Sequence, residues 1–130
     1  MNKIKLFFIS SMLFCGTIVY SQDIKLKKDL ILLDNKSVLN YKKTDMASKF
    51  QVYKIDSSEE ILFINQQTIP DGNGLYWKFY FPIQNKFFYK KIINSFKSEI
   101  KLMFEDKVID EKGNINEDKL DLYINKYNEL

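Results

Sequence analysis

The 130-residue chain carries twenty lysines, seventeen acids and no arginine or histidine, so its formal charge of +3 is all lysine. Without histidine there is no Ser-His-Asp or Cys-His nucleophile, and with a single cysteine there is no zinc, haem or copper site of the usual ligand types. Without arginine there is no planar fork for bidentate recognition of phosphate, carboxylate or guanine.

In chain order, Lys3 and Lys5 precede an apolar run over residues 6–20, and Val19-Tyr20-Ser21 places small or modest side chains before Gln22. This is the pattern of a secretory signal peptide cut after Ser21. The run is shorter than the roughly 18–20 residues that cross the hydrocarbon core. Phe14 before Cys15 leaves no lipobox. The expected organisation is a signal peptide over residues 1–21 and a single α+β domain over residues 22–130, with no stable membrane span after cleavage. Removing the signal leaves eighteen lysines against seventeen acids, a net charge of +1 and no cysteine. The chain is expected in the periplasm or outside the cell.

Residues 23–88 show short apolar or alternating runs separated by turn residues, the signature of strands. Ile24 and Leu26 alternate with Lys25 and Lys27, and Lys28-Asp29 marks a break. Residues 30–33 and 37–41 read as a hairpin around Asp34-Asn35-Lys36, because Asp and Asn tolerate left-handed backbone. Residues 50–55 and 61–65 form the next pair across residues 56–60. Ile61-Leu62-Phe63-Ile64 is apolar on both faces, which predicts a central strand with one face in the core and the other covered. Pro70-Asp71-Gly72-Asn73-Gly74 is the clearest turn. In the strand after it Leu75, Trp77, Phe79, Phe81 and Ile83 share one face, with Trp77 as core anchor, while Tyr76, Lys78, Tyr80 and Pro82 share the other.

From residue 92 the period becomes helical, with Ser95 as N-cap, Phe96, Ile100, Met103 and Phe104 on one face, and an end near Lys107. Asp110-Glu111-Lys112-Gly113-Asn114 is a turn. Asn116 caps a second helix with Glu117 and Asp118 in its first turn, favourable against the helix dipole, and with Leu120, Tyr123, Ile124 and Tyr127 as its apolar face. The predicted fold is α+β: an antiparallel, meander-like sheet of five to six strands followed by two C-terminal helices packed on one face. The Ser21-Gln22 junction, the Asp34-Asn35-Lys36 hairpin and the segment from Asp110-Glu111-Lys112-Gly113-Asn114 through Ile115-Asn116-Glu117-Asp118-Lys119 together resemble short, uncharacterised secreted proteins of the Bacteroidota. The resemblance implies a compartment and a fold, and brings no functional residue with it.

Three constellations are candidates for function. Residues 105–121 hold seven acids against three lysines, an oxygen-rich stretch in which Asp110, Asn114 and Asn116 are possible Ca²⁺ ligands, although the spacing departs from the EF-hand pattern. Lys90, Lys97 and Lys101 fall at helical spacings, with Lys86 and Lys91 nearby, as a possible patch for anionic partners. Tyr76 and Tyr80, flanking Lys78, form a possible stacking platform for sugars or other flat ligands. The adjacent acids Glu59-Glu60 and Glu105-Asp106 point to different sides of their elements, which is a poor start for a two-carboxylate hydrolase. The leading expectation is a non-enzymatic secreted or periplasmic binding module acting on a protein or envelope component, with no cofactor and no nucleic-acid partner. A periplasmic inhibitor or immunity protein and a small carboxylate-based hydrolase are the alternatives.

Overall fold

Two adjacent residues with positive φ at each of the first two turns, Lys28-Asp29 and Asp34-Asn35, fold the start of the chain into consecutive tight hairpins. The computed structural model describes residues 23–69, 72 and 74–130, so the signal-peptide expectation, with Cys15 and the Ser21-Gln22 junction, lies outside the described residues. The same holds for Pro70, Asp71 and Asn73 of the predicted turn. Seven strands, β1 (Ile24–Lys27), β2 (Leu30–Leu33), β3 (Lys36–Lys43), β4 (Lys49–Lys54), β5 (Glu60–Thr68), β6 (Leu75–Phe81) and β7 (Lys86–Lys90), pair antiparallel in chain order. Two helices follow, α1 (Phe96–Glu105) and α2 (Glu117–Tyr127). The α+β meander is therefore as expected, with seven strands in place of five to six.

The extra strand is β7. Pro82 and Ile83 continue the alternation of β6, so the sequence hides a turn that the backbone makes at residues 82–85, where Asn85 takes a φ of 54°. Ile83 accordingly leaves the core face and is exposed.

Register assigns the two faces. Ile31 pairs with Leu39, Phe50 with Ile64, Ile64 with Phe79 and Phe79 with Phe88, so these side chains form one continuous inner face. At the bulges between β2 and β3 and between β4 and β5 one extra residue enters, and Val38-Leu39 and Ile61-Leu62 are each buried as consecutive pairs. Both helices pack on this inner face. Phe96 stacks on Phe50 with ring centroids 4.5 Å apart, Tyr123 meets Phe88 edge-on at 5.7 Å, α1 reaches β1 and α2 lies against β7.

Trp77 is not the anchor. It sits half-buried at the rim, edge-on to Phe96 at 5.6 Å, while Phe50, Phe79, Phe81 and Phe88 are the large side chains sealed beneath the helices. The reason is position along the strand: α1 begins over the Trp77 row and covers it from one side only. Nor is the other face of β5 covered, against the expectation for a strand apolar on both sides. Phe63 points to the outer side and is half-buried by its sheet neighbours, with no described element lying over it.

Ser95 caps α1 as predicted, in a capping box in which its hydroxyl accepts from the Ser98 N–H at 3.0 Å and its own N–H donates to the Ser98 hydroxyl at 3.1 Å. The helix starts directly after this cap and ends at Glu105, just short of the expected end near Lys107, where the backbone takes a φ of 64°. Asn116 caps α2 by accepting from the Lys119 N–H at 3.1 Å. The connection between them is pinned to the sheet at Gly113, whose φ of 84° suits glycine and where a Cβ would lie 2.9 Å from Leu39 Cδ2.

The open edge of β7 is closed by the chain's own C-terminus. The Glu129 N–H donates to the Tyr89 carbonyl at 2.8 Å, the Tyr89 N–H to Asn128 Oδ1 at 3.0 Å and the Lys91 N–H to Glu129 Oε1 at 2.6 Å. An exposed row of strand amides is an aggregation template, and this strap covers it at Tyr89 and Lys91. Deleting residues 128–130 is expected to lower stability by about 1–2 kcal/mol and to speed amide exchange at Tyr89 and Lys91 selectively. Unchanged exchange at both amides would contradict the strap.

Candidate functional site

The outer face of the sheet is assembled by the same register that builds the core. Across β3 to β7 one row runs Lys42, Gln51, Phe63, Tyr80, Phe87, and the next runs Lys49, Asn65, Lys78, Tyr89 from β4 to β7. Tyr76 lies one step further along β6, opposite Gln67. Tyr76, Lys78 and Tyr80 thus share a face, as strand alternation requires, and among the described residues no helix covers it. Sequence alternation located these three. It missed Tyr53, Phe63, Phe87 and Tyr89, which join them only through pairing between strands.

Lysine ammonium groups lie over aromatic rings on this face. Lys78 Nζ is 4.6 Å from the Phe87 ring centroid and 5.7 Å from that of Tyr80, and Lys42 Nζ is 5.7 Å from that of Tyr53. The Tyr80 hydroxyl donates to Asn85 Oδ1 at 3.1 Å, which fixes the ring's far end. The acid of this face, Glu60, accepts from Gln51 Nε2 at 2.9 Å. Burial, helped by the Glu60 charge, pushes the Tyr53 hydroxyl above its ordinary value of 10.0. A recess of about 360 Å³ opens beside Tyr53 and is lined also by Asn40, Lys42, Asp29 and Ser58.

The lysine patch does not assemble. Lys86 is held by α2, with Asp121 at 2.6 Å and Glu117 at 2.9 Å, and these carboxylates hold its ammonium above the ordinary value. Lys90 bridges to Glu99 of α1, its ammonium 2.9 and 3.1 Å from the two carboxylate oxygens. Lys91, Lys97 and Lys101 are exposed and separate from these pairs.

In the interhelical loop the proposed cation ligands are already engaged. Asp110 Oδ1 accepts from the Lys112 N–H at 2.8 Å and the Asn114 N–H at 2.9 Å, and Asn114 Oδ1 accepts from the Lys54 ammonium at 3.0 Å. Asn116 spends its side chain on the helix cap. Among the described residues no three acids converge as a metal site would require. Of the adjacent acids, Glu59 and Glu105 are exposed, and Asp106 faces Lys126 at 3.6 Å.

Two buried side-chain atoms have no partner among the described residues, Gln84 Oε1 and the Tyr123 hydroxyl, the latter on a side chain only 1% exposed. Burial first, then the Glu99, Tyr127 and Asp106 charges, raises its pKa far above 10.0. The folded state keeps this phenol neutral whereas the unfolded chain ionises it, so the linked stability is present below pH 10 and is lost as pH rises above it. Tyr123→Phe is expected to gain about 1 kcal/mol at pH 7 by removing an unsatisfied polar group, and to flatten the alkaline loss. Urea denaturation at pH 7 and above pH 10 measures both. A destabilised phenylalanine variant would mean that the hydroxyl has a stabilising partner.

Compared with known protein families, with curated proteins and with solved structures, the chain has no match in any of the three.

Proposed function

We propose that the chain is an exported, non-catalytic binding module, working in the periplasm or outside the cell and docking onto a protein or envelope component through the outer face of its sheet. The observation that supports this reading is the uncovered row of rings around Lys78. Aromatic side chains usually pack under a covering layer, and a contiguous patch left open on a small domain marks an interaction surface. Export rests on the N-terminal pattern of Lys3, Lys5 and the apolar residues 6–20 ending at Ser21-Gln22.

Capture from envelope fractions tests the face directly. The protein should retain a component at near-stoichiometric ratio, and a Tyr80→Ala/Phe87→Ser variant should lose it. Equal retention by both proteins would move the binding surface elsewhere, to the helices or the loops. Intact mass of the exported protein tests cleavage, where a species retaining residues 1–21 would contradict the signal peptide.

A further inference from the structure

We propose that the outer face takes an acidic polysaccharide, a chain of sugar rings carrying carboxylates at intervals. The inference rests on the reading of that face as the binding surface and adds the class of its ligand. Among the described residues Lys42, Lys49 and Lys78 have no carboxylate partner, and the acid beside them, Glu60, is already engaged by Gln51. Glu60 keeps its charge through that neutral hydrogen bond and Asp29 lines the recess, so three unpaired lysines outnumber two acids and the face is complementary to a sparsely charged anion.

Spacing selects the kind of anion. Lys49 and Lys78 stand in one row with Asn65 between them, two strand spacings or about 9.6 Å apart. A nucleic-acid duplex presents a phosphate about every 3.4 Å of its axis on each strand and would leave most of its charge unmatched, and there is no arginine to read duplex or single strand. An anionic bilayer is met by tight clusters of about four to eight cations, more than this face gathers. A polymer with one carboxylate per pair of sugars, or with one per sugar and alternate rings facing the same side, has the sparser charge that the lysines match. Beside the cations lie rings: after Gln51, Phe63, Tyr80 and Phe87 continue the row that begins at Lys42, which spans four strand spacings, about 19 Å. Sugar rings stack their C–H faces on such rings while their carboxylates reach the neighbouring ammonium groups. The recess beside Lys42 and Tyr53, about 360 Å³, gives this strip a concave end lined with hydroxyl and amide groups and the Asp29 carboxylate.

Isothermal titration of the purified protein with sodium polygalacturonate tests the assignment. Saturable binding is expected, weakened about tenfold by Lys49→Gln/Lys78→Gln and about tenfold by Tyr80→Ala, and unaffected by Lys101→Gln on the exposed side of α1. Thermal midpoints confirm that each variant is folded; should Tyr80→Ala unfold, the lysine pair carries the test, because both side chains lie on the sheet surface. Absence of saturable binding, equal weakening by Lys101→Gln, or tighter binding to oligo(dT) or to phosphatidylglycerol vesicles would each overturn the polysaccharide assignment. If envelope capture stays sensitive to Tyr80→Ala/Phe87→Ser while polygalacturonate fails to bind, the ligand class is wrong and the binding face stands. If both fail, the face itself is excluded.

Discussion

Replacing Lys90 by methionine is expected to cost about 3–5 kcal/mol of folding stability, the penalty for leaving a buried carboxylate without its counter-ion. The Lys90 ammonium reaches both oxygens of Glu99, at 2.9 and 3.1 Å, with the two side chains only 13% and 4% exposed. The Tyr127 ring closes over the lysine at 4.9 Å, so water has little access from the α2 side. The bridge ties the last strand to the first helix. Removing both charges is a different experiment. Lys90→Met/Glu99→Leu fills the same space with apolar atoms and should recover most of the loss, to within about 1 kcal/mol of the unmodified protein, because desolvating the pair costs nearly what its attraction returns. Urea denaturation of the two singles and the double completes the cycle. A Lys90→Met loss below about 1 kcal/mol would show that Glu99 is hydrated in solution.

Phe50→Ala is expected to lose about 3–5 kcal/mol through the cavity it opens. Phe50 is fully buried, with Tyr41 stacked on one side at 5.2 Å and Phe96 on the other at 4.5 Å. It is where the first turn of α1 lands on the sheet. The cavity therefore loosens the helix as well as β4, and amide exchange in α1 should accelerate with that of β4. Trp77→Ala, at the half-exposed rim, should cost less than Phe50→Ala. The opposite ranking in chemical denaturation would return the anchoring role to Trp77.

Local signals were legible where the physics is local. Ser95 and Asn116 cap the helices because a hydroxyl or amide three residues before an unpaired N–H satisfies it whatever the rest of the chain does. Asp29, Asp34 and Asn35 help turn the first hairpins because Asp and Asn tolerate positive φ, whereas Lys28 takes a φ of 51° without that tolerance. The turn at residues 82–85 was invisible for the converse reason: Pro82 and Ile83 preserve the alternation of β6, and only the pairing of Phe81 with Lys86 reveals where the chain reverses. The lysine set at helical spacing was misleading, since Lys86 and Lys90 belong to β7 and face the helices' carboxylates.

The candidate site divides in the same way. Tyr76, Lys78 and Tyr80 lie two residues apart, and a period of two puts them on one face of any strand. Tyr53, Phe63, Phe87 and Tyr89 come from three other strands, and their place beside Tyr80 and Lys78 depends on the strand registers, with the bulge between β4 and β5 setting Tyr53 opposite Glu60. A one-residue slip would have sent each to the core.

By itself, the sequence determined the α+β class, the order of strands before helices, the helix caps, the first hairpin turns and the chemistry denied to a chain without arginine or histidine. Each of these follows from side-chain identity or from contacts a few residues apart. Only the tertiary structure decided which side of the sheet the helices cover, which lysines are spent on buried or bridging carboxylates, and that the rings around Lys78 remain open. Those outcomes depend on pairing and packing between residues tens of positions apart, which no local pattern encodes.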